Sequence, residues 1–219
     1  MNPTFKKILP HLIALACFVL VSFFYFNEVV SGSKQIKQHD SKMYEGAVAE
    51  AAKYKGETIF FSESMFSGMP MYLINMPYYG NIAYNKLSTI YGLYLPYPMN
   101  QLFILMLGFY ILLLTFKMNP YMAIAGAFAF ALSSNNMVFT AAGHVTKVSA
   151  IAYIPLVLAG LNMSLRGNKW FGAALTAIGL SFQMGANHFQ ITYYMFFIMG
   201  AWYIGELVGE IIKKNYKEI

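Results

Sequence analysis

Six apolar stretches, joined by links that carry many of the lysines, constrain this chain more than any other feature. They run over about 9–30, 99–116, 120–134, 148–165, 170–186 and 189–212. A helix rises about 1.5 Å per residue, so roughly 20 apolar residues cross a hydrocarbon layer about 30 Å thick. Apolar residues make up 58% of the chain and charged residues 11%. Soluble proteins hold about 45–50% and 25%, so an ordinary soluble domain is excluded. A formal charge of +6 in a soluble protein would suggest a nucleic-acid partner. Here the basic residues flank apolar segments, and no basic stripe is interleaved with stacking aromatics. They read as topology signals, and no nucleic-acid partner is expected.

The pattern predicts an all-α polytopic membrane protein, a single module over 1–219 with about six transmembrane helices. Lys6, Lys7, Lys117, Arg166, Lys169, Lys213, Lys214 and Lys217 all fall on one side of the six spans. By the positive-inside rule that side is cytoplasmic, with both termini on it. The short outer connections carry only Lys147, while the long first outer loop, 31–98, is of a length that escapes the rule. Cys17 is the single cysteine and sits inside the first apolar run, so no disulfide forms within the chain.

The long loop has its own punctuation. Ser41 to Tyr54 reads as a short amphipathic helix, with Met43, Ala47, Val48 and Ala51 on one face. Met65 to Tyr72 contains Gly68 and Pro70 and reads as a tight turn. Asn81 to Tyr94 reads as a second interfacial helix, stopped by Pro96 and Pro98. In the first span His11 reads as an interfacial side chain. In the last, Glu206 and Glu210 share a face and are expected to pair with Lys213 or Lys214.

Polar chemistry collects at the outer face. His39, Asp40, His144, Lys147, Asn187, His188 and Gln190 all fall there. Polar groups at membrane depth are costly unless paired or facing water, so they mark cavities and functional sites. The intervals 142–147 and 185–190 each combine a glycine with a cluster of donors. Helix ends with open N–H groups beside a lysine suit an anion such as a lipid phosphate. Each residue also has a plain reading. Asp40, the only aspartate, caps the loop helix as well as it serves a reaction, and both can hold. His144 or Lys147 alone is an ordinary interfacial residue, and His188 and Gln190 suit hydrogen bonds between spans. The residues name no certain cofactor. A divalent metal on His39, Asp40 and His144 stays open, although no ligand spacing favours it.

Several motifs, taken together and in order, resemble the YfhO-like bacterial membrane proteins. They are Leu9-Pro10-His11, the Lys-Gln-x-x-Asp run ending at Asp40, and Met65-Phe66-Ser67-Gly68-Met69-Pro70. Gly143-His144 with Lys147, and the run from Asn187 to Tyr194, complete the match, which covers nearly all of the chain. Ser67 stands where a second glycine is expected. Members of that family are several times longer, so the resemblance implies an N-terminal portion of a larger protein. That family is in turn similar to the GT-C superfamily of polytopic glycosyltransferases, in which an acidic residue of the first outer loop acts at the reaction centre.

The resemblance implies a GT-C-like fold in the bacterial cytoplasmic (inner) membrane and sugar transfer at its outer face. The donor would be a polyprenyl-phosphate-linked sugar and the acceptor a cell-envelope molecule, with membrane lipids as surroundings. Asp40 would be catalytic, as general base. His144 and Lys147 would bind the donor phosphate. His39, Asn187, His188 and Gln190 would line the substrate cavity. The alternative is a non-catalytic transporter or lipid-handling protein using the same groups as a binding vestibule. The long loop and the lack of an inverted repeat favour the enzyme.

Overall fold

The computed structural model describes residues 3–36, 49–50, 60–63, 67–73 and 80–213. Asn119 accepts from the Tyr121 amide and Pro120 takes the first helical position, where its missing N–H costs nothing. Asn81 and Asn168 accept from the amides of Tyr84 and Phe171 in the same way, each at 3.0 Å. The helices that follow these and other starts are α1 (Pro3–Tyr25), α2 (Asn27–Val30), α3 (Ile82–Tyr91), α4 (Met99–Thr115), α5 (Pro120–Ala131), α6 (Ser134–Ala141), α7 (Val145–Arg166), α8 (Lys169–Gly185) and α9 (Phe189–Ile212). Two short strands, β1 (Phe61–Ser62) and β2 (Met69–Pro70), pair antiparallel and lead into a 3₁₀ turn at Met71–Leu73.

The architecture is that of an all-α membrane protein. Among the described residues three helices, α1, α7 and α9, are long and apolar enough to cross a membrane. α5 and α6 pass the same test only as one element bent by 49°. α4 is apolar but has 17 residues, and α8 also has 17. Three spans, or four with the bent pair, therefore qualify by length and composition where the sequence predicts six.

α7 is the centre of the bundle. It packs along α8 and α4, while α5 and α1 close on the other faces of α4. Of the apolar window of α7, 61% is buried, against 6% for α9, which leaves nearly all its apolar surface outward. α7 and α8 meet at backbone distance through glycines. A Cβ on Gly160 would lie 2.5 Å from the Thr176 amide nitrogen, and one on Gly179 would lie 2.9 Å from Val157 Cγ2. Small residues allow such approach where lipid offers no hydrophobic drive between helices.

Interhelical bonds fix the directions. Gln101, in the first turn of α4, donates to Val145 O at 2.8 Å and Ser149 Oγ at 3.0 Å. At the other end Asn162 donates to Thr115 O at 3.0 Å, so α4 and α7 are parallel. Arg166 bonds Glu206 of α9, and His11 of α1 shares a 2.8 Å hydrogen bond with Tyr110 of α4. One end of the bundle thus carries the hairpin and the junctions at 142–144 and 186–188. The other carries Lys117, Arg166 and Lys169.

Several local expectations change. The first helix begins at Pro3 rather than near residue 9, and His11 is a partner of Tyr110 rather than a purely interfacial group. Ser134–Ala141, which follows the expected third span, is helical: the Asn136 amide donates to Phe130 O and the Thr140 hydroxyl to Asn136 O, so its polar side chains close on the local backbone. α7 begins at Val145, three residues early, which puts Lys147 in its first turn instead of in a loop. α3 does more than lie on a surface. Tyr84 covers Gly185, and the Tyr91 ring packs 5.7 Å from Phe182 and 6.3 Å from Tyr153. Glu210 pairs with Lys213 at 2.8 Å, as expected. Glu206 instead takes Arg166 and Trp202, which the packing of α9 across the end of α7 brings nearer. The proposed loop helix at 41–54 lies largely outside the described residues.

Candidate functional site

The polar residues of the hairpin end are placed by two breaks in the helical chain. Gly143 adopts φ 77° and lets the chain turn between α6 and α7. Asn187 adopts φ 55° and does the same between α8 and α9. Asparagine tolerates this left-handed region better than most side chains. Each break is followed by a histidine at the N-cap, His144 for α7 and His188 for α9. Neither helix start is capped by a side chain. Uncapped helix starts keep open N–H donors and the positive end of the helix dipole, which attract anions.

The two starts meet. His188 Nδ1 lies 3.3 Å from Thr146 Oγ1 in the first turn of α7. The Lys147 ammonium lies 3.8 Å from the centre of the Phe139 ring on α6, and the same ring meets His144 edge-on at 5.9 Å. Phe139 thereby contacts both side chains, the Lys147 ammonium through its ring face. Lys147 forms no ion pair with a carboxylate among the described residues. His188 is pushed below the ordinary histidine range, first by burial and then by Lys147 and His144. Its imidazole is therefore neutral at pH 7, offering a donor or an acceptor without adding charge.

The structure places His144, Lys147 and His188 near one another. Asn187 is adjacent, but its amide turns away to donate to Tyr72 O at 3.0 Å, latching the hairpin to the α8–α9 junction. Gln190 departs from the expected cavity lining. It is exposed and donates to Tyr194 OH one turn along α9, at 2.9 Å. Asp40 and His39 lie outside the described residues. The chain before them reaches the site's flank, because Gln35 and Ile36 line a cavity of about 330 Å³ with Met137, Thr140 and Ala141 of α6. At 100° per residue, that face of α6 is opposite Phe139. Among the described residues no three His, Cys, Asp or Glu side chains group to hold a metal ion.

Comparison with known proteins adds no further constraint. No family model, curated protein or solved structure matches the chain. What stands is the arrangement itself: one lysine, two imidazoles and two helix starts brought near one another. Such a set holds a singly or doubly charged oxyanion, with hydrogen bonds from several directions. Thr146, Phe139 and Tyr72 contribute without being singled out by sequence. Thr146 stands in a polar run that offered a signal. Phe139 and Tyr72 offered none, since an aromatic in a chain with 19 phenylalanines and 17 tyrosines carries little information.

Proposed function

We propose that the protein is a membrane glycosyltransferase of the GT-C kind. It moves a sugar from a polyprenyl-phosphate-linked donor to a cell-envelope acceptor at the outer face of the bacterial cytoplasmic membrane. Six crossings with both termini cytoplasmic put the hairpin end outside. The observation that carries this reading is the meeting of His144, Lys147 and His188 at two uncapped helix starts. A lipid phosphate is the anion a membrane protein meets at that depth.

In the proposed reaction Asp40 accepts the proton of the acceptor hydroxyl as its oxygen bonds to the anomeric carbon. The bond from that carbon to the lipid phosphate oxygen breaks, and the departing phosphate takes the electron pair. Lys147, His144 and the helix-start amides stabilise the charge that develops there. Neutral His188 donates one more hydrogen bond without repelling Lys147. Ile36, four residues before Asp40, packs against the core beside α6. Four residues reach at most about 14 Å, so the proposal requires the chain to pass around α6 from that face to the one that carries Phe139.

The test is transfer by the protein in membranes supplied with polyprenyl-phosphate-linked sugars. Lys147→Ala should cost most at limiting donor. Undiminished transfer by that variant at limiting donor rejects the phosphate assignment.

A further inference from the structure

The other end of the bundle holds a second cavity, of about 590 Å³, between the C-termini of α4 and α7. That volume lies within the usual range for small-ligand sites, about 300–1,000 Å³. Its walls are apolar, from Ile111, Leu114 and Met163, and its rim carries Lys117 and Arg166. Trp202 stacks on Phe116 of the rim, with ring centres 5.5 Å apart and planes within 10°. Phe116 is the C-terminal cap of the apolar helix α4 and Lys117 follows it, so this part of the rim lies at the end of a span, where headgroups begin.

The charges around this cavity are of both signs. Arg166 is held by Glu206, which also accepts from Trp202 Nε1 at 3.2 Å. Lys117, placed by a left-handed turn at φ 61°, has no carboxylate partner among the described residues. One net positive charge remains. It is balanced by two helix C-termini, each equivalent to about half a negative charge. Acceptors are in surplus too. α7 ends with the Gly167 amide on Met163 O, and no described backbone amide reaches the carbonyls of Ser164, Leu165 and Arg166, of which Arg166 lines the cavity. In the wall, Asn162 donates to Thr115 O and Oγ1, which fixes its amide orientation and leaves Oδ1 without a donor. A purely anionic ligand would satisfy the two cations and leave these acceptors open. A purely cationic one would meet Lys117.

We infer that this cavity binds the headgroup of a membrane phospholipid bearing both a phosphate and a primary ammonium, of the phosphatidylethanolamine type. The phosphate sits between Lys117 and Arg166, and the ammonium donates to the open carbonyls at the end of α7. The acyl chains follow the apolar wall outward. A quaternary ammonium cannot donate, so phosphatidylcholine is disfavoured, and phosphatidylglycerol lacks the positive charge the helix ends favour. The inference rests on the membrane character of the chain and not on the proposed sugar transfer.

The test is lipid retention by the purified full chain, measured by native mass spectrometry during titration with phosphatidylethanolamine, phosphatidylcholine or phosphatidylglycerol. Soluble glycerophosphoethanolamine serves as a fourth arm, separating the lipid from its bare headgroup. Phosphatidylethanolamine should be retained best and the soluble headgroup least. Lys117→Asn removes the charge while suiting the left-handed backbone, so the fold is kept. It should lower phosphatidylethanolamine retention by up to about fivefold, the weight of one exposed charged contact. Lys169→Gln, which changes a lysine outside the cavity lining, should leave retention unchanged. Equal retention of the three lipids, a preference for phosphatidylglycerol, or full retention by Lys117→Asn overturns the inference.

Discussion

His188 is the residue at which the candidate site should respond to pH. Its folded-state pKa lies below the ordinary value because of burial first, then Lys147 and His144. Just below about pH 6.5 the unfolded chain therefore binds more protons than the folded one, and stability falls as the pH drops through that window. The melting temperature should be lower at pH 5.5 than at pH 7.5, and His188→Gln should flatten that difference. A profile identical in wild type and variant would remove His188 from the charge cluster. Asp40 separates two roles in one substitution. Asn is nearly as good an N-cap as Asp, so Asp40→Asn should keep the melting temperature and lower sugar transfer by roughly 10²–10⁴-fold, the usual weight of a general base. Near-normal transfer by the folded variant would reject the base. In the hairpin, Ser67 occupies φ 62° and Gly68 φ 117°. The residue at 67 thus adopts the conformation that suits the glycine expected there. Ser67→Gly should be neutral or mildly stabilising. Gly68→Ala should destabilise, because a Cβ there falls 2.7 Å from the Phe61 ring.

Close backbone approach between helices adds to the apolar core that α1, α4, α5 and α7 share. The α7–α8 pair depends on Gly160 and Gly179, where an added Cβ meets backbone or a branched side chain. Gly160→Val should cost at least the roughly 1–3 kcal/mol of ordinary overpacking, read as an earlier loss of folded protein on heating in detergent. An unchanged midpoint would mean that α7 and α8 are not in contact at that level. The hairpin and α3 act as one cover over the α8–α9 junction. Asn187 holds Tyr72 O at 3.0 Å, Asn81 donates to Ser181 O at 2.8 Å, and Ser181 bonds Asn81 in return. His188 follows directly on this junction, half-buried beside Thr146, and its burial lowers its pKa. α6 shows why element boundaries were hard to read. Its eight residues include two asparagines, a serine and a threonine, types that compete locally for backbone groups and favour turns. The bond from Asn136 back to Phe130 O turns that tendency into a tight bend between two helices.

At the scale of the whole molecule, the testable statement is the orientation of the two ends. A cysteine at Gly80, which is exposed and has open space around its Cβ position, should react with an impermeant reagent in intact cells. One at Lys169 should not, and the reverse pattern would invert the proposed topology. The amino-acid sequence by itself determined the class of fold, because solvation leaves little choice to a chain 58% apolar whose basic residues stand outside its apolar runs. It also determined the last helix to its ends, Phe189–Ile212, since an unbroken apolar run between a histidine and a lysine is a local signal. It marked the segments that hold His144, Lys147 and His188, because polar groups stand out against an apolar background. Tertiary structure alone decided which of those groups meet. The pairing of His188 with Thr146, the use of Phe139 as a shared platform and the turning of Asn187 toward Tyr72 depend on how α7 and α9 start beside each other. The same holds for Glu206, taken by Arg166 at a separation of 40 residues rather than by the lysines next to it. Side chains far apart in sequence find one another through helix packing, and the distances that packing sets are not written in local periodicity.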